Sequence, residues 1–267
     1  MLERLLITGA NGSLGSICRQ RLGHLAKTVR VSARRDLGEA GPNEELVFCD
    51  LDDKAAVEAM VEGCDGIIHM GGKAVEGSWE TVKAANIEGM FNLYEGARKS
   101  SVRPRILFAS SHHVTGFHRQ TARLNAETSP VRPDGLYAVS KVFGEALARM
   151  YFDKFGIETA SVRIGSCFPE PSSHRMMSSW LSADDMVALA ERIFNVPRLG
   201  CPVLYGVSDN ASTWWDNSTA GYLGWSPKDS SEQFRSKLDA EQTPPKHDEA
   251  DAIYQGGLFC TDVIHED

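Results

Sequence analysis

The chain predicts an α/β fold built on one doubly wound parallel sheet, and three observations carry that expectation. Short apolar runs alternate with longer segments of helical period, the pattern of strand–helix–strand units in a parallel sheet. The first run, Leu5-Leu6-Ile7, passes straight into a turn with glycines at 9, 12 and 15. After Gly165 the pattern changes to prolines at 169 and 171, polar residues, and tryptophans at 180, 214, 215 and 225, a smaller portion laid over the sheet edge. The 267 residues suit a single domain over 1–267, large enough to bury about three-quarters of its unfolded surface.

Taken in order, strands are expected at 4–8, 28–32, 46–48, 66–69, 105–109, 158–163 and 202–205. Helices are expected at 14–25, 54–62, 79–99, 136–155, 183–194 and 230–238. The opening strand is short and apolar, as a strand covered on both faces must be. Thr8-Gly9-Ala10-Asn11-Gly12-Ser13-Leu14-Gly15 then leads into a helix. Glycines there let the backbone turn tightly and approach a pyrophosphate, and the helix N-terminus offers free N–H groups and a partial positive charge. Gly9, Asn11, Gly12, Ser13, Leu14 and Gly15 are therefore candidate cofactor-binding residues. A glycine-rich turn of no function would look similar, but its place between strand and helix favours a dinucleotide site.

The second strand runs into Ala33-Arg34-Arg35-Asp36. An acid at this point binds the ribose diol of NAD, whereas an arginine accommodates the phosphate of NADP. Arg34 is a candidate, and Asp36 would serve NAD if the loop is longer. Met70-Gly71-Gly72 closes the fourth strand, where backbone must pass close to the cofactor, so Met70 and Gly71 join the set. The fifth strand, Ile106-Leu107-Phe108-Ala109-Ser110-Ser111, ends in two hydroxyls. Ligands of open α/β sheets bind at the carboxyl ends of strands, which places the Ser111 hydroxyl where it can meet a substrate oxygen. Turn chemistry alone would also put a serine there.

Tyr137-Ala138-Val139-Ser140-Lys141 gains meaning on a helix. Residues four apart share a face, so the Lys141 ammonium would lie beside the Tyr137 phenol. A neighbouring cation favours the phenolate and makes a general base for an alcohol proton. A solvated helix face can show the same spacing; the nucleotide-type turn and the strand ending at Ser111 argue against it.

Together, TGANGSLG, the SSHHVTG segment and YAVSK resemble the short-chain dehydrogenase/reductase superfamily, in its extended epimerase/dehydratase-like branch. Asp65-Gly66-Ile67-Ile68-His69-Met70-Gly71-Gly72, Pro133-Asp134-Gly135-Leu136-Tyr137, Arg163-Ile164-Gly165-Ser166-Cys167 and Gly221-Tyr222-Leu223-Gly224-Trp225 are similar to the uronate dehydrogenases within it. The resemblance implies a Rossmann-like fold, with 1–165 mainly the dinucleotide-binding core and 166–267 mainly a substrate-covering portion and C-terminal arm. From its own residues, the tail from Gln242 to His247, with Pro244-Pro245, is expected to be an extended arm packed on the body or on a neighbouring subunit. The resemblance implies NAD as cofactor, with NADP not excluded, although an aspartate would be expected near Ala33. Asp50 and Leu51 would contact adenine (Asp50 also suits a helix N-cap), with Asn86, Tyr137, Lys141 and Ile164 further cofactor contacts. An asparagine inside a helix is an indifferent choice, and a structural role for Asn86 competes.

The implied activity is NAD-dependent oxidation of a hexuronic acid, D-galacturonate or D-glucuronate, at the anomeric carbon to the aldarolactone. Ser111, Tyr137 and Lys141 would be catalytic, and Ser13, Ala74, Ser111, His112, Tyr137, Ser166 and Arg175 would bind substrate. Arg175 would take the carboxylate through two parallel hydrogen bonds; on composition alone it would be a solvated loop arginine. His112 stands where an asparagine would be expected. A nucleotide-sugar epimerase or dehydratase shares the motifs through Lys141, but the chain is short for that branch and His112-His113 replaces the acid pair after the serine. A non-catalytic NAD(P)-sensing protein on the same fold would be expected to lose the tyrosine or lysine.

A net charge of −8 and a pI near 5.5 favour solubility and argue against a nucleic-acid partner. The absence of an apolar run near ~18 residues or a signal-peptide pattern argues against a membrane partner. Cys18, Cys49, Cys64, Cys167, Cys201 and Cys260 lack metal-ligand spacing and read as reduced thiols of a cytoplasmic protein. His112, His113 and His118 find no completing ligand, so no metal is expected. The aromatic-rich C-terminal region hints at a homo-oligomer.

Overall fold

The computed structural model describes residues 1–265. Nine strands occur among them: β1 (Leu2–Thr8), β2 (Ala26–Ala33), β3 (Glu44–Phe48), β4 (Gly66–His69), β5 (Arg105–Ser111), β6 (Leu124–Asn125), β7 (Thr159–Ile164), β8 (Val203–Gly206) and β9 (Trp215–Asp216). Seven form one parallel sheet in the order β3-β2-β1-β4-β5-β7-β8, a Rossmann-like arrangement. The order reverses direction between β1 and β4, which opens a crevice at their carboxyl ends. The remaining two strands, β6 and β9, pair with each other in a small separate ladder.

The helices are α1 (Ser13–Arg21), α2 (Lys54–Val61), α3 (Trp79–Val82), α4 (Gly89–Lys99), α5 (Leu136–Phe155), α6 (Met176–Ser179), α7 (Ala183–Asn195), α8 (Arg235–Glu241) and α9 (Ala250–Ile253). Both faces of the sheet are covered, and the period-two alternation of the strands divides the core. Leu5, Ile7 and Leu107 pack with Leu22 beyond α1 and with Leu189 and Ile193 of α7. Leu6, Ile106 and Phe108 turn the other way, toward Val57 of α2, Leu93 of α4 and Tyr151 of α5. Near-continuous apolar strands follow from this double coverage.

Three expected helices differ in extent or continuity. The helix expected over 14–25 ends at Arg21, because the Leu22 N–H closes the last turn on the Cys18 carbonyl and Gly23–Leu25 tightens into a 3₁₀ turn. The helix expected over 79–99 is broken by a π-helical segment, Lys83–Glu88, between α3 and α4. The one expected over 230–238 opens as a 3₁₀ turn, Ser231–Phe234, and α8 runs on to Glu241.

The tail from 242 to 247 is mostly exposed; its two prolines lack N–H donors and it carries no apolar side chain to bury. The anchor of the C-terminal segment lies further on. The Gln255 amide donates to the carbonyls of Arg119 and Ala122 and accepts from Trp215 Nε1 at 2.8 Å. The Phe259 ring stacks on His113, with centroids 4.0 Å apart.

Candidate active site

The carboxyl ends of β1, β2, β3 and β4 border a cleft of about 440 Å³. Its floor depends on glycine. Gly9 has φ +65° and an added Cβ would lie 2.7 Å from Gly71 N, while one at Gly15 would lie 2.0 Å from Gly9 O. Gly12 N–H donates to the Gly9 carbonyl at 2.9 Å, closing the turn. No side chain caps α1, so its first-turn N–H groups face the cleft without a competing partner, the arrangement a pyrophosphate needs. Thr8, which motif reading passed over, ties the two central strands together: its Oγ1 accepts from Gly71 N–H at 3.0 Å and bonds His69 Nδ1 at 2.8 Å. The fit to a dinucleotide is thus set by a cradle that any Cβ would fill. Gly9→Ala is expected to abolish dinucleotide binding and lower Tm, since it adds left-handed strain of about 1–2 kcal/mol to a backbone clash; titration with NAD beside thermal denaturation checks both.

Gly9, Asn11, Gly12, Ser13, Leu14, Gly15, Arg34, Asp50, Leu51, Met70, Gly71 and Ala74 all line this cleft. Asn86 does not. Its amide is spent on the chain, accepting from Lys73 N–H at 2.7 Å and donating to Lys73 O at 3.1 Å and Ser140 Oγ at 2.8 Å. The wide π turn aims it there, so Asn86 pins the loop after β4 to α5 from behind the cleft.

A second set of groups gathers where β5 and β7 end side by side, Ser111 opposite Ile164 in register. Tyr137 and Lys141 project from α5, whose start is held by an unforeseen carboxylate. Glu76 accepts from the N–H groups of Leu136 and Tyr137, both at 3.0 Å, which suits the positive end of a helix. Gly135 leaves room for it, since a Cβ would lie 2.2 Å from Glu76 Oε2.

Lys141 Nζ donates to the Ala109 carbonyl at 2.8 Å and lies 5.6 Å from the centroid of the Tyr137 ring. Spacing alone favours a phenol lowered by the lysine; burial acts in the opposite sense. Burial pushes Tyr137 up to about 12, opposed by its hydrogen bond with Ser111. Burial also lowers Lys141 to about 8. Burial disfavours the charged form of each group, so the described site holds a protonated tyrosine.

The sugar-side candidates are buried and satisfied mainly by the chain. Arg175 is 8 % exposed; its Nε donates to Asp251 Oδ1 at 3.1 Å and its Nη1 to the Gln255 carbonyl at 2.9 Å. It is therefore no solvated loop arginine, and the Asp251 carboxylate takes the Nε side of its fork, leaving Nη2 for an external oxygen. Ser166 shares a hydrogen bond with Ser179 Oγ at 2.9 Å.

His112 pairs its Nδ1 with the Ile164 carbonyl at 3.0 Å, and its Nε2 is buried with no partner. Burial holds the ring well below the usual histidine range, so the imidazole is neutral, Nδ1 carries the proton and Nε2 presents a bare lone pair. Beside it, His113 Nδ1 meets Asp134 Oδ2 at 2.7 Å. Burial raises Asp134 to about 7 and lowers His113 to about 3, disfavouring the charged form of each.

Sequence reading did not single out Glu76, Asp134 or Arg163 as site components. Arg163 donates from Nε and Nη2 to Glu145 at 2.9 and 2.8 Å, and Ser110 Oγ donates to Glu145 at 2.6 Å, just behind Ser111. A charged residue inside an otherwise uncharged strand was the available signal for Arg163; Glu76 left none, because its partners lie sixty residues away.

Among known proteins, residues 5–192 match the model of the NAD dependent epimerase/dehydratase family. The chain is 54 % identical to a uronate dehydrogenase of Agrobacterium fabrum, covering 98 % of each. A mutant uronate dehydrogenase from Agrobacterium tumefaciens, solved in complex with NAD, superposes with a TM-score of 0.97 at 53 % identity over 99 % of both chains. A glucuronic acid dehydrogenase from Chromohalobacter salexigens gives 0.96 at 50 % identity over 99 % of this chain and 98 % of that one.

Proposed function

We infer that this chain, which belongs to the NAD dependent epimerase/dehydratase family, is an NAD-dependent uronate dehydrogenase. It oxidises D-galacturonate or D-glucuronate at the anomeric carbon to the aldarolactone. The full-length likeness to uronate dehydrogenases carries this reading, and the residues supply its chemistry. Bound NAD provides the acceptor for the hydride.

Tyr137, once its own proton has been lost to solvent, receives the proton of the anomeric hydroxyl at its phenolate oxygen, with Ser111 holding the reacting oxygen by the same hydroxyl that now bonds the phenol. Lys141 places a cation on the same helix face, favouring phenolate once the site is filled. His112 Nε2 accepts from a sugar hydroxyl, Ser166 adds a second polar contact, and Arg175 Nη2 takes a carboxylate oxygen. Ser13 and Ala74 border the sugar from the cofactor side. The protein's contribution is orientation and charge.

Six unpaired cysteines suit a reducing cytoplasm, and among the described residues no helix is long and apolar enough to cross a membrane. Exposed Val139 and Met150 on α5 and Phe91 on α4 support self-association as a homo-oligomer. Purified protein with NAD and either uronate should raise absorbance at the reduced-nicotinamide band. No rise with either sugar acid would overturn the assignment.

A further inference from the structure

We propose that the cleft also takes NADP, and that Arg34, just beyond β2, holds the 2′-phosphate of its adenosine ribose. The proposal rests on the reading of the cleft as a dinucleotide site. The residues after the second strand face the ribose hydroxyls, and an acid there both binds the diol of NAD and repels a phosphate. Here that strand ends in Ala33, buried, with a methyl group in the cleft lining where a carboxylate would act. Asp36, the nearest acid along the chain, is turned into its own loop, where Oδ1 accepts the Gly38 N–H at 2.8 Å, and it does not line the cleft. Among the lining residues Asp50 is the one carboxylate, and it follows β3 rather than β2.

Against that single acid stand two arginines. Arg34 and Arg35 are exposed, line the cleft, and bond to no described residue. Their neighbours are committed. Arg19 on α1 is held by Glu44 at 2.7 Å, and Arg30 on β2 by Glu45 at 3.0 Å and the Met60 carbonyl at 2.7 Å. Two unpaired guanidinium groups at this edge complement a phosphate dianion, whose oxygens accept from arginine in parallel pairs. Nothing at this edge requires the phosphate, which is why NAD is accepted as well.

The test uses binding, so it does not depend on turnover. Adenosine 2′,5′-bisphosphate and adenosine 5′-monophosphate are titrated by calorimetry into the wild type, Arg34→Ala and Ala33→Asp. The wild type should prefer the bisphosphate by about tenfold or more, the scale of a hydrogen bond to a charged group. Arg34→Ala should erase most of that preference, and Ala33→Asp should reverse it. Equal affinities in the wild type, or an unchanged preference in Arg34→Ala, would overturn the proposal. Failure of both nucleotides to bind would overturn the dinucleotide reading itself, and the proposal with it.

Discussion

Tyr137→Phe is expected to lower kcat by about 10³-fold, within the range that a positioned acid–base group supplies, while NAD still binds. The ring stays in place: Tyr137 is 7 % exposed and its helix is fastened at the start by Glu76 through the N–H groups of Leu136 and Tyr137. The substitution therefore removes one oxygen and its bond to Ser111 without loosening the site. Because burial holds the phenol at about 12, the wild type must lose that proton to act as base, and kcat/KM should rise as pH rises from neutrality. Lys141 works in the opposite sense, since its ammonium is lost as pH climbs past about 8. A plateau or decline above that point is expected in the wild type. Retention of most of the wild-type rate by Tyr137→Phe would end the assignment of Tyr137 as base, whatever the pH profile showed.

How far the sequence carries this site depends on the range of the physics involved. The sheet was legible because its strands are short apolar runs and its helices alternate with them; Leu5, Leu6 and Ile7 could face nothing but core. The cradle was legible because close backbone approach admits only glycine, and Gly9 and Gly15 state that locally. Tyr137 and Lys141 sit one turn apart, so their shared face was readable. The balance between them was not, because desolvation depends on everything packed around them.

Asn86 illustrates the same limit from the other side. Its place in a helix was visible, but not the π turn that sends its amide to Lys73 and Ser140. Nor could spacing reveal that Arg175 already holds Asp251 and the Gln255 carbonyl. The C-terminal segment that makes those contacts is more than seventy residues away in sequence and carries no motif of its own.

Glu145→Ala is expected to destabilise the fold by about 3–5 kcal/mol, the cost of breaking a buried ion pair, and so to lower Tm by roughly 10 °C for a chain of this size. Glu145 accepts from Arg163 through two donors and from Ser110 through a third, and Arg163 is only 2 % exposed. Removing the carboxylate leaves a guanidinium that water cannot reach, with Nη1 already lacking a partner. The penalty comes from that stranded charge more than from the lost attraction. A double replacement, Glu145→Met with Arg163→Met, should therefore be less damaging than Glu145→Ala alone, although it removes more hydrogen bonds. Denaturant unfolding of Glu145→Met, Arg163→Met and the double gives the coupling directly. If the double variant lost stability as the sum of the singles, the pair would not be acting as a unit. Activity should fall with Glu145→Ala beyond what stability explains, because Ser110 and Arg163 each immediately precede a residue of the candidate site, Ser111 and Ile164. The carboxylate thus ties the strand ends that present the reacting oxygen's partner to the helix that carries Tyr137 and Lys141.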